Sequence, residues 1–253
     1  MADVSIQLTD IVFRWKPDAA PVLDIPELTI VAGERLLIQG PSGSGKTTLL
    51  SLLGGIATPQ SGSVEIHGTT LSALRGAQRD AFRADCIGFV FQMFNLVPYL
   101  SLINNVTLPC RFSNARRQAA LLSSPTLNQE ATRLLGQLEL DTENLAGRPV
   151  TELSTGQQQR VAVARALIGA PPLVIADEPV SALDVSVQSQ VLNLMVRLQR
   201  ERNLTYVFIS HDLSVVEYIS DTIAIMYLGK IVEVGPVESI FKRPAHPYTR
   251  ALI

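Results

Sequence analysis

The sequence predicts an α/β fold with a mostly parallel core sheet flanked by helices, an N-terminal antiparallel β-layer and an inserted α-helical subdomain. Three observations lead to this prediction. A glycine-rich loop, Gly40–Thr48, lies between an apolar strand and a helical pattern. The segments Leu173–Ala176 and Thr205–Ile209 have the continuous apolar character of buried parallel strands. The stretch between them and the loop, Leu102–Leu140, is mostly helical.

The N-terminal part contains four predicted strands that we expect to form the antiparallel layer: Val4–Arg14, Leu28–Ile30, Arg35–Gln39 and Gly62–Ile66. The third of these also leads into the glycine-rich loop. A helical pattern over Leu71–Asp85 and a short buried strand, Ile87–Phe91, complete this part.

The inserted helical stretch is interrupted at Ser123–Pro125, and the core then resumes. Helices are predicted over Gln157–Ile168 and Val187–Leu198, and Leu228-Gly229 joins two strands into a hairpin, Thr222–Tyr227 and Lys230–Val234. The expected organisation is a single domain, with residues 1–90 and 157–253 as core plus β-layer and residues 92–156 as helical subdomain.

Composition sets limits on the class of protein. The chain has 253 residues, 47% hydrophobic and 17% charged, which indicates a compact globular protein. Its net charge of −2 gives no reason to expect nucleic acid as a ligand. Cys86 and Cys110 form no CxxC pattern and are expected to be reduced cytoplasmic thiols, with a disulfide between them as the alternative. No signal peptide or long apolar run occurs, so no direct membrane insertion is expected.

The glycine-rich loop fits the pattern G-x-x-x-x-G-K-[ST], which binds phosphate groups. Glycines let the backbone turn its N–H groups toward one anion, and the following helix directs its positive end there. The lysine can reach the β- and γ-phosphates, and the threonine hydroxyl can ligate Mg²⁺. A flexible loop that binds nothing is the alternative. The predicted phosphate-binding residues are Gly40, Ser42, Gly43, Ser44, Gly45, Lys46, Thr47 and Thr48.

Two carboxylates follow the apolar strand at Leu173–Ala176. Asp177, at the strand tip, can hold Mg²⁺, and Glu178 can act as general base for an attacking water. An exposed acidic turn is the alternative, and the presence of the phosphate loop makes it the weaker one.

A second candidate anion site lies in the segment Leu153–Arg160, where Ser154 and Gly156 precede a helix. One nucleotide cannot easily occupy both anion sites of one chain. Two copies arranged head to tail would place this site over the γ-phosphate bound to the other copy.

These motifs, in this order, resemble the nucleotide-binding subunit of an ATP-binding cassette (ABC) transporter over about residues 4–253. The resemblance implies an ATPase that binds ATP and Mg²⁺, pairs with an identical or related ATPase chain, and serves transmembrane permease subunits from the cytoplasmic face of the membrane. It implies five further roles. Trp15 would stack on the adenine, and Gln92 would have the Q-loop role near Mg²⁺. Ser154 and Gly156 would make the signature contact to the partner's γ-phosphate, Asp184 would have the D-loop role, and His211 would make the γ-phosphate switch contact. A Trp15 in the core or on the surface remains the alternative, and His67 and His246 are expected in solvent.

His211 is also indicated by its position, because it follows the strand Thr205–Ile209 closely and ligands bind at the carboxyl ends of such strands. The signature departs from the family's usual L-S-G-G-Q, because Thr155 replaces the first glycine. A threonine there could crowd the phosphate, or its hydroxyl could add a hydrogen-bond donor. We expect hydrolysis to be retained but slower.

The two parts of the chain resemble different branches of the family. The first two-thirds resemble ATPases of lipoprotein release and macrolide efflux, and the last third resembles oligopeptide and dipeptide importer ATPases. The first resemblance is expected to weigh more in partner choice. The apolar run Met93–Leu100 is the predicted permease contact, with a buried subdomain core as the alternative.

Other functions remain open at this level. A regulatory ABC ATPase of cell-envelope remodelling or division would use the same nucleotide cycle without moving a solute. A soluble ABC ATPase of translation or DNA repair usually carries tandem cassettes or long coiled-coil insertions, which this chain lacks. A P-loop kinase outside the family would leave Leu153–Arg160 unexplained.

Overall fold

The fold is described from a computed structural model, which covers residues 3–145, 148–181, 183–210 and 218–252. The strands are β1 (Val4–Phe13), β2 (Leu23–Val31), β3 (Arg35–Gln39), β4 (Ser61–Ile66), β5 (Thr69–Thr70), β6 (Ile87–Val90), β7 (Leu173–Asp177), β8 (Thr205–Ile209), β9 (Thr222–Tyr227) and β10 (Lys230–Pro236). The helices are α1 (Lys46–Leu53), α2 (Gly76–Cys86), α3 (Leu102–Thr107), α4 (Pro109–Phe112), α5 (Asn114–Ser123), α6 (Leu127–Gln137), α7 (Thr142–Leu145), α8 (Thr155–Leu167), α9 (Val185–Arg202), α10 (Val237–Lys242) and α11 (Pro247–Leu252), with 3₁₀ turns at Leu71–Ala73 and Val150–Glu152.

The chain divides into two compact units, Met1–Asp80 with Thr205–Ile253, and Ala81–Leu204. The first unit contains the predicted antiparallel layer, a four-stranded sheet in the order β2-β1-β4-β5. Its register places Ile6 opposite Ile30 and Leu8 opposite Leu28, and all four side chains are buried. The alternation of buried and exposed residues along β1 is typical of a sheet with one covered face.

The observed pairing of strand β3 differs from the predicted pairing. The sequence pattern placed Arg35–Gln39 in the antiparallel layer, whereas β3 pairs parallel with β8 on one side and with β9 on the other. Four consecutive residues of β3, from Leu36 to Gln39, are buried. That continuous burial is typical of a parallel strand with both faces covered, so the assignment to the layer was wrong.

The predicted hairpin is confirmed. Strand β9 pairs antiparallel with β10, and the connecting residues Leu228 and Gly229 both have positive φ, 49° and 80°. Positive φ at both central residues is what a tight two-residue hairpin turn requires.

The second unit contains the parallel pair β6–β7 and the predicted helical stretch. The predicted interruption lies between α5 and α6, where Thr126 caps α6 by accepting a hydrogen bond from Gln129 N–H. Arg116 of α5 is buried, 3% exposed, and its guanidinium donates to carbonyl oxygens at the end of α8. Helix α8 is therefore fixed at its C-terminus by a buried cation.

The chain end was not assigned secondary structure from sequence, and it forms α10 and α11. His246 is half-buried there, and its Nδ1 accepts a hydrogen bond from Tyr248 N–H at 3.1 Å. The Tyr248 ring stacks on Tyr227 with centroids 4.5 Å apart. The expectation that His246 lies in solvent was wrong, because the ring caps the last helix. Both cysteines are free thiols.

Candidate active site

The phosphate loop has an open, left-handed backbone. Gly43 and Gly45 have φ of 78° and 101°, a region that side-chain-bearing residues rarely adopt. Nothing lies within 4 Å of the Cβ position at Gly43, so the space beside that residue is open. The Lys46 ammonium donates to the carbonyl oxygens of Gly40 and Pro41, at 2.8 and 2.9 Å, which folds its side chain back along the loop.

Helix α1 begins directly after the loop without a protein cap. No side chain caps its N-terminus, and no acidic residue lies in its first turn. The partial positive charge of the helix therefore remains available to an anion. Thr47 is exposed in this first turn, whereas Thr48 is buried beneath it.

Two buried polar atoms beside the loop have no hydrogen-bond partner among the described residues, Ser44 Oγ and Gln39 Oε1. Ser44 is 2% exposed, and a buried hydroxyl without a partner costs about 1–3 kcal/mol. A cradle of this kind, with donors and an unsatisfied hydroxyl, fits a phosphate group.

The β9–β10 hairpin supports the loop within the same unit. Gly229 N–H donates to the Ser44 carbonyl at 3.0 Å. A Cβ at Gly40 would lie only 2.2 Å from the Met226 carbonyl oxygen, so only glycine fits there. The turn predicted from Leu228-Gly229 thus fixes the path of the phosphate loop, a contact that the sequence pattern did not indicate.

The acidic pair lies at the carboxyl end of β7, as predicted. Asp177 is its last residue and is half-buried, and Glu178 follows with φ of 50°. A left-handed backbone at a residue other than glycine is strained, and such strain concentrates at functional sites. The Glu178 carbonyl accepts hydrogen bonds from Gln159 Nε2 at 3.1 Å and Ser181 Oγ at 3.2 Å.

The second anion site has the geometry of a capping box at the start of α8. Ser154 Oγ accepts from Gln157 N–H at 3.3 Å, and Gln157 Oε1 accepts from Ser154 N–H at 2.9 Å. The Ser154 hydroxyl proton is not used in any hydrogen bond described for this segment, so it can point outward to an acceptor. Thr155 is exposed and has helical backbone, so the threonine causes no strain within the chain.

The family model named ABC transporter matches residues 23–181, which contain the phosphate loop, the capping box and the acidic pair. The chain belongs to the ABC transporter family. As a member of it, the chain is an ATPase.

Relatives of this ABC protein include transport subunits. It is 43% identical over 242 residues to the probable peptide ABC transporter ATP-binding protein y4tS of Sinorhizobium fredii, covering 94% of this chain and 67% of y4tS. It is 43% identical over 225 residues to the glutathione import ATP-binding protein GsiA of Pectobacterium atrosepticum, covering 87% of this chain and 34% of GsiA. The chain thus spans about two-thirds of y4tS and about one-third of GsiA.

A solved structure has the same fold as this ABC protein. The dimeric post-hydrolysis state of the ATP-binding cassette MJ0796, bound to ADP and Pi, matches with a TM-score of 0.80 and 32% identity. The match covers 92% of this chain and 98% of MJ0796. The predicted fold class is thereby confirmed.

The remaining predicted site residues of the ABC protein are mostly exposed. Trp15 is 62% exposed, and its ring packs edge-to-face with Phe13 at a centroid distance of 4.9 Å. Asp184 caps α9, and hydrogen bonds from the Ser186 hydroxyl and Val187 N–H lower the pKa of its carboxyl. Gln92 is exposed, and His211 lies outside the described residues.

The segment after Gln92 lies on the surface. Met93 is 81% and Tyr99 is 86% exposed, so neither side chain belongs to a buried core. Phe94 and Asn95 between them have positive φ, and their carbonyls accept from the Arg165 guanidinium at 2.5 and 2.6 Å. No helix among the described residues is both long and apolar enough to cross a membrane.

Sequence reasoning missed Gln159 and Arg165, which anchor the Glu178 and Phe94 backbones from α8. Both are buried, and every residue from Val161 to Leu167 is buried with them, so α8 is covered on all sides there. An arginine within that otherwise apolar run is the signal that would have indicated Arg165, because charged groups are buried only when bonded. Gln159 is one of three consecutive glutamines and had no such signal.

Proposed function

We propose that the chain is the ATP-hydrolysing subunit of a transporter that imports peptides or small peptide-like solutes. The name of y4tS supports the peptide class, and the name of GsiA supports import of a small peptide-like solute. The y4tS alignment covers 94% of the chain, the first two-thirds included, so we give the importer resemblance more weight than the efflux resemblance. The observation that carries the catalytic part is the open phosphate loop at the uncapped start of α1.

ATP is the proposed substrate of this loop. The N–H groups of the loop and the Lys46 ammonium would hold the β- and γ-phosphates. The exposed Trp15 side chain would stack on the adenine. Magnesium, when bound, neutralises charge on the phosphate oxygens.

The candidate magnesium ligands are the Thr47 hydroxyl, the Asp177 carboxylate and the Gln92 amide oxygen. All three are oxygen donors, as Mg²⁺ prefers. No cluster of three or more His, Cys, Asp and Glu side chains suited to a metal occurs in the described part of the chain. The proposed ion would therefore depend on phosphate oxygens and water for the rest of its ligands.

Hydrolysis is proposed to use Glu178 as general base. The carboxylate takes a proton from a water, whose oxygen bonds to the γ-phosphorus while the bond to the bridging β-phosphate oxygen breaks. Ser154, with Gly156, would contact the γ-phosphate held by a second chain, and Asp184 would lie at the same interface. His211 is proposed as a γ-phosphate contact on the resemblance alone.

The proposed assembly is a head-to-tail dimer with an identical or related chain, as MJ0796 is dimeric in its ADP-bound structure. Transmembrane permease subunits are the proposed partners, on the cytoplasmic face of the membrane. The exposed Met93 and Tyr99 side chains support the segment Met93–Leu100 as the permease contact.

Substituting Glu178→Gln tests the mechanism. The variant should bind ATP, lose nearly all turnover and accumulate as a dimer with MgATP in size-exclusion chromatography, because binding is kept and the base is removed. Glu201→Gln, an exposed carboxylate in the last turn of α9, is the control and should behave as wild type. Normal turnover by Glu178→Gln would remove Glu178 as the base.

Purification of the tagged chain from detergent-solubilised membranes tests the partner. A permease with a solute pathway should accompany it. A membrane partner without such a pathway would instead favour the regulatory alternative.

A further inference from the structure

We propose that Gln159 is a positioning residue that orients Glu178 and joins it to helix α8. This inference rests on the proposed role of Glu178 as general base. Gln159 is 1% exposed, and its side-chain amide donates to the Glu178 carbonyl oxygen at 3.1 Å. It acts on the backbone of the base and does not itself touch the substrate.

The Glu178 backbone needs such an anchor. Its φ of 50° is disfavoured for a residue with a side chain and persists only where neighbouring groups fix it. Two other described donors to the same carbonyl, Ser181 Oγ at 3.2 Å and Ser181 N at 3.4 Å, come from the turn itself. Gln159 reaches the Glu178 carbonyl from a separate element, helix α8.

The contact between Gln159 and Glu178 matters for a second reason, which is the position of helix α8. Its N-terminal cap is Ser154, the residue proposed to meet the nucleotide of the second chain. Gln159 lies five positions further along the same helix, a rise of about 7 Å. One rigid helix thus connects the end that faces the partner's nucleotide with the base that serves the chain's own nucleotide.

The capping box makes the connection stiff. Ser154 and Gln157 bond each other's backbone, and Arg160 donates to the carbonyls of Leu138 and Glu139 at 3.0 Å. The cap and the Gln159 side chain therefore lie on one stiff helix, which gives the Glu178 backbone a fixed support.

The first test compares Gln159→Met with Gln137→Met. Methionine has a similar length and no donor, and Gln137 is a half-buried glutamine at the end of α6, outside the proposed site. Gln159→Met should lower the kcat for ATP by about tenfold or more, with the KM within about twofold, because a small misplacement of a reacting group slows chemistry without weakening binding. It should also accumulate the MgATP dimer. Turnover equal to that of Gln137→Met would overturn the proposal.

The second test uses Gln159→Glu. A buried carboxyl has a raised pKa, and its neutral form can donate to the Glu178 carbonyl, whereas the carboxylate cannot. The ratio of turnover at about pH 6 to that at about pH 8 should rise several-fold above the wild-type ratio. This ratio is measured within one preparation, so a smaller yield of folded protein does not affect it. An unchanged ratio would contradict the proposal.

The Glu178→Gln variant distinguishes a failure of this inference from a failure of the proposed function on which it rests. If Glu178→Gln hydrolyses ATP normally, the proposed function itself fails. If Glu178→Gln is inactive and Gln159→Met is normal, only the positioning role of Gln159 fails.

Discussion

Replacing Arg116 by methionine should destabilise the protein by about 3 kcal/mol. Arg116 is 3% exposed, and its guanidinium lies 2.7 Å from the carbonyl oxygens of Ala166 and Ile168 and 3.2 Å from that of Arg165. Methionine keeps much of the side-chain volume, so the change removes the charge and the donors with little cavity.

The magnitude follows from two opposing contributions. At about 2 kcal/mol for a hydrogen bond to a charged group, the three close carbonyls contribute about 6 kcal/mol. Burial opposes this stabilising contribution, because it lowers the pKa of the Arg116 guanidinium from its ordinary value to about 10. That net shift corresponds to about 3 kcal/mol of lost preference for the charged form, which leaves a net loss of about 3 kcal/mol when the guanidinium is removed.

Thermal unfolding of the purified chain measures the effect. For a chain of this size, about 3 kcal/mol corresponds to a fall in Tm of about 6–12 °C. Arg117→Met, an exposed neighbour on the same helix, is the matched control and should change Tm by less than about 2 °C. If the two variants have the same Tm, the guanidinium does not fix the end of α8 and the reasoning is refuted.

Four further predictions concern the nucleotide site. Lys46→Ala should weaken ATP binding by about 10²-fold in a calorimetric titration, since a charge-assisted contact to phosphate is lost, and unchanged affinity would contradict the role. Gly40→Ala should lower Tm more than Gly43→Ala, because its Cβ would lie 2.2 Å from a backbone oxygen, whereas that of Gly43 meets nothing within 4 Å and adds only the strain of a left-handed backbone; the reverse order would refute the packing argument. Thr155→Gly should raise steady-state turnover if the threonine crowds the phosphate, and a fall would exclude crowding. Trp15→Ala should raise the KM for ATP several-fold while Trp15→Phe keeps it near wild type, and equal values for both would exclude stacking.

Much of the fold could be predicted from local patterns. Strand β8 and the β9–β10 hairpin were predicted at their observed bounds or within two residues, because a continuous apolar run and a Leu-Gly turn are local signals. The ordered motifs likewise indicated the family, and the phosphate loop has the left-handed glycines that its pattern requires.

The features that the sequence did not indicate depend on contacts between residues that are far apart in the chain. Strand β3 was assigned to the wrong sheet because its partners, β8 and β9, lie about 170 or more positions later in the chain. The roles of Arg116 and Gln159 were missed for the same reason, since a buried polar side chain is recognised only when its acceptor is known. The left-handed backbone of Glu178 is set by surrounding structure and has no local signal.

The surface segment after Gln92 is held by polar side chains from two different helices. Phe94 and Asn95 have left-handed backbone angles, which are disfavoured for phenylalanine and tolerated by asparagine, and the Arg165 guanidinium bonds both carbonyls. Further along the segment, the Asn105 side chain bonds the backbone of Val97 and Leu100. The exposed Met93 and Tyr99 side chains therefore lie on a fixed backbone, so a protein that binds this surface meets a preformed shape and loses little conformational entropy in ordering it.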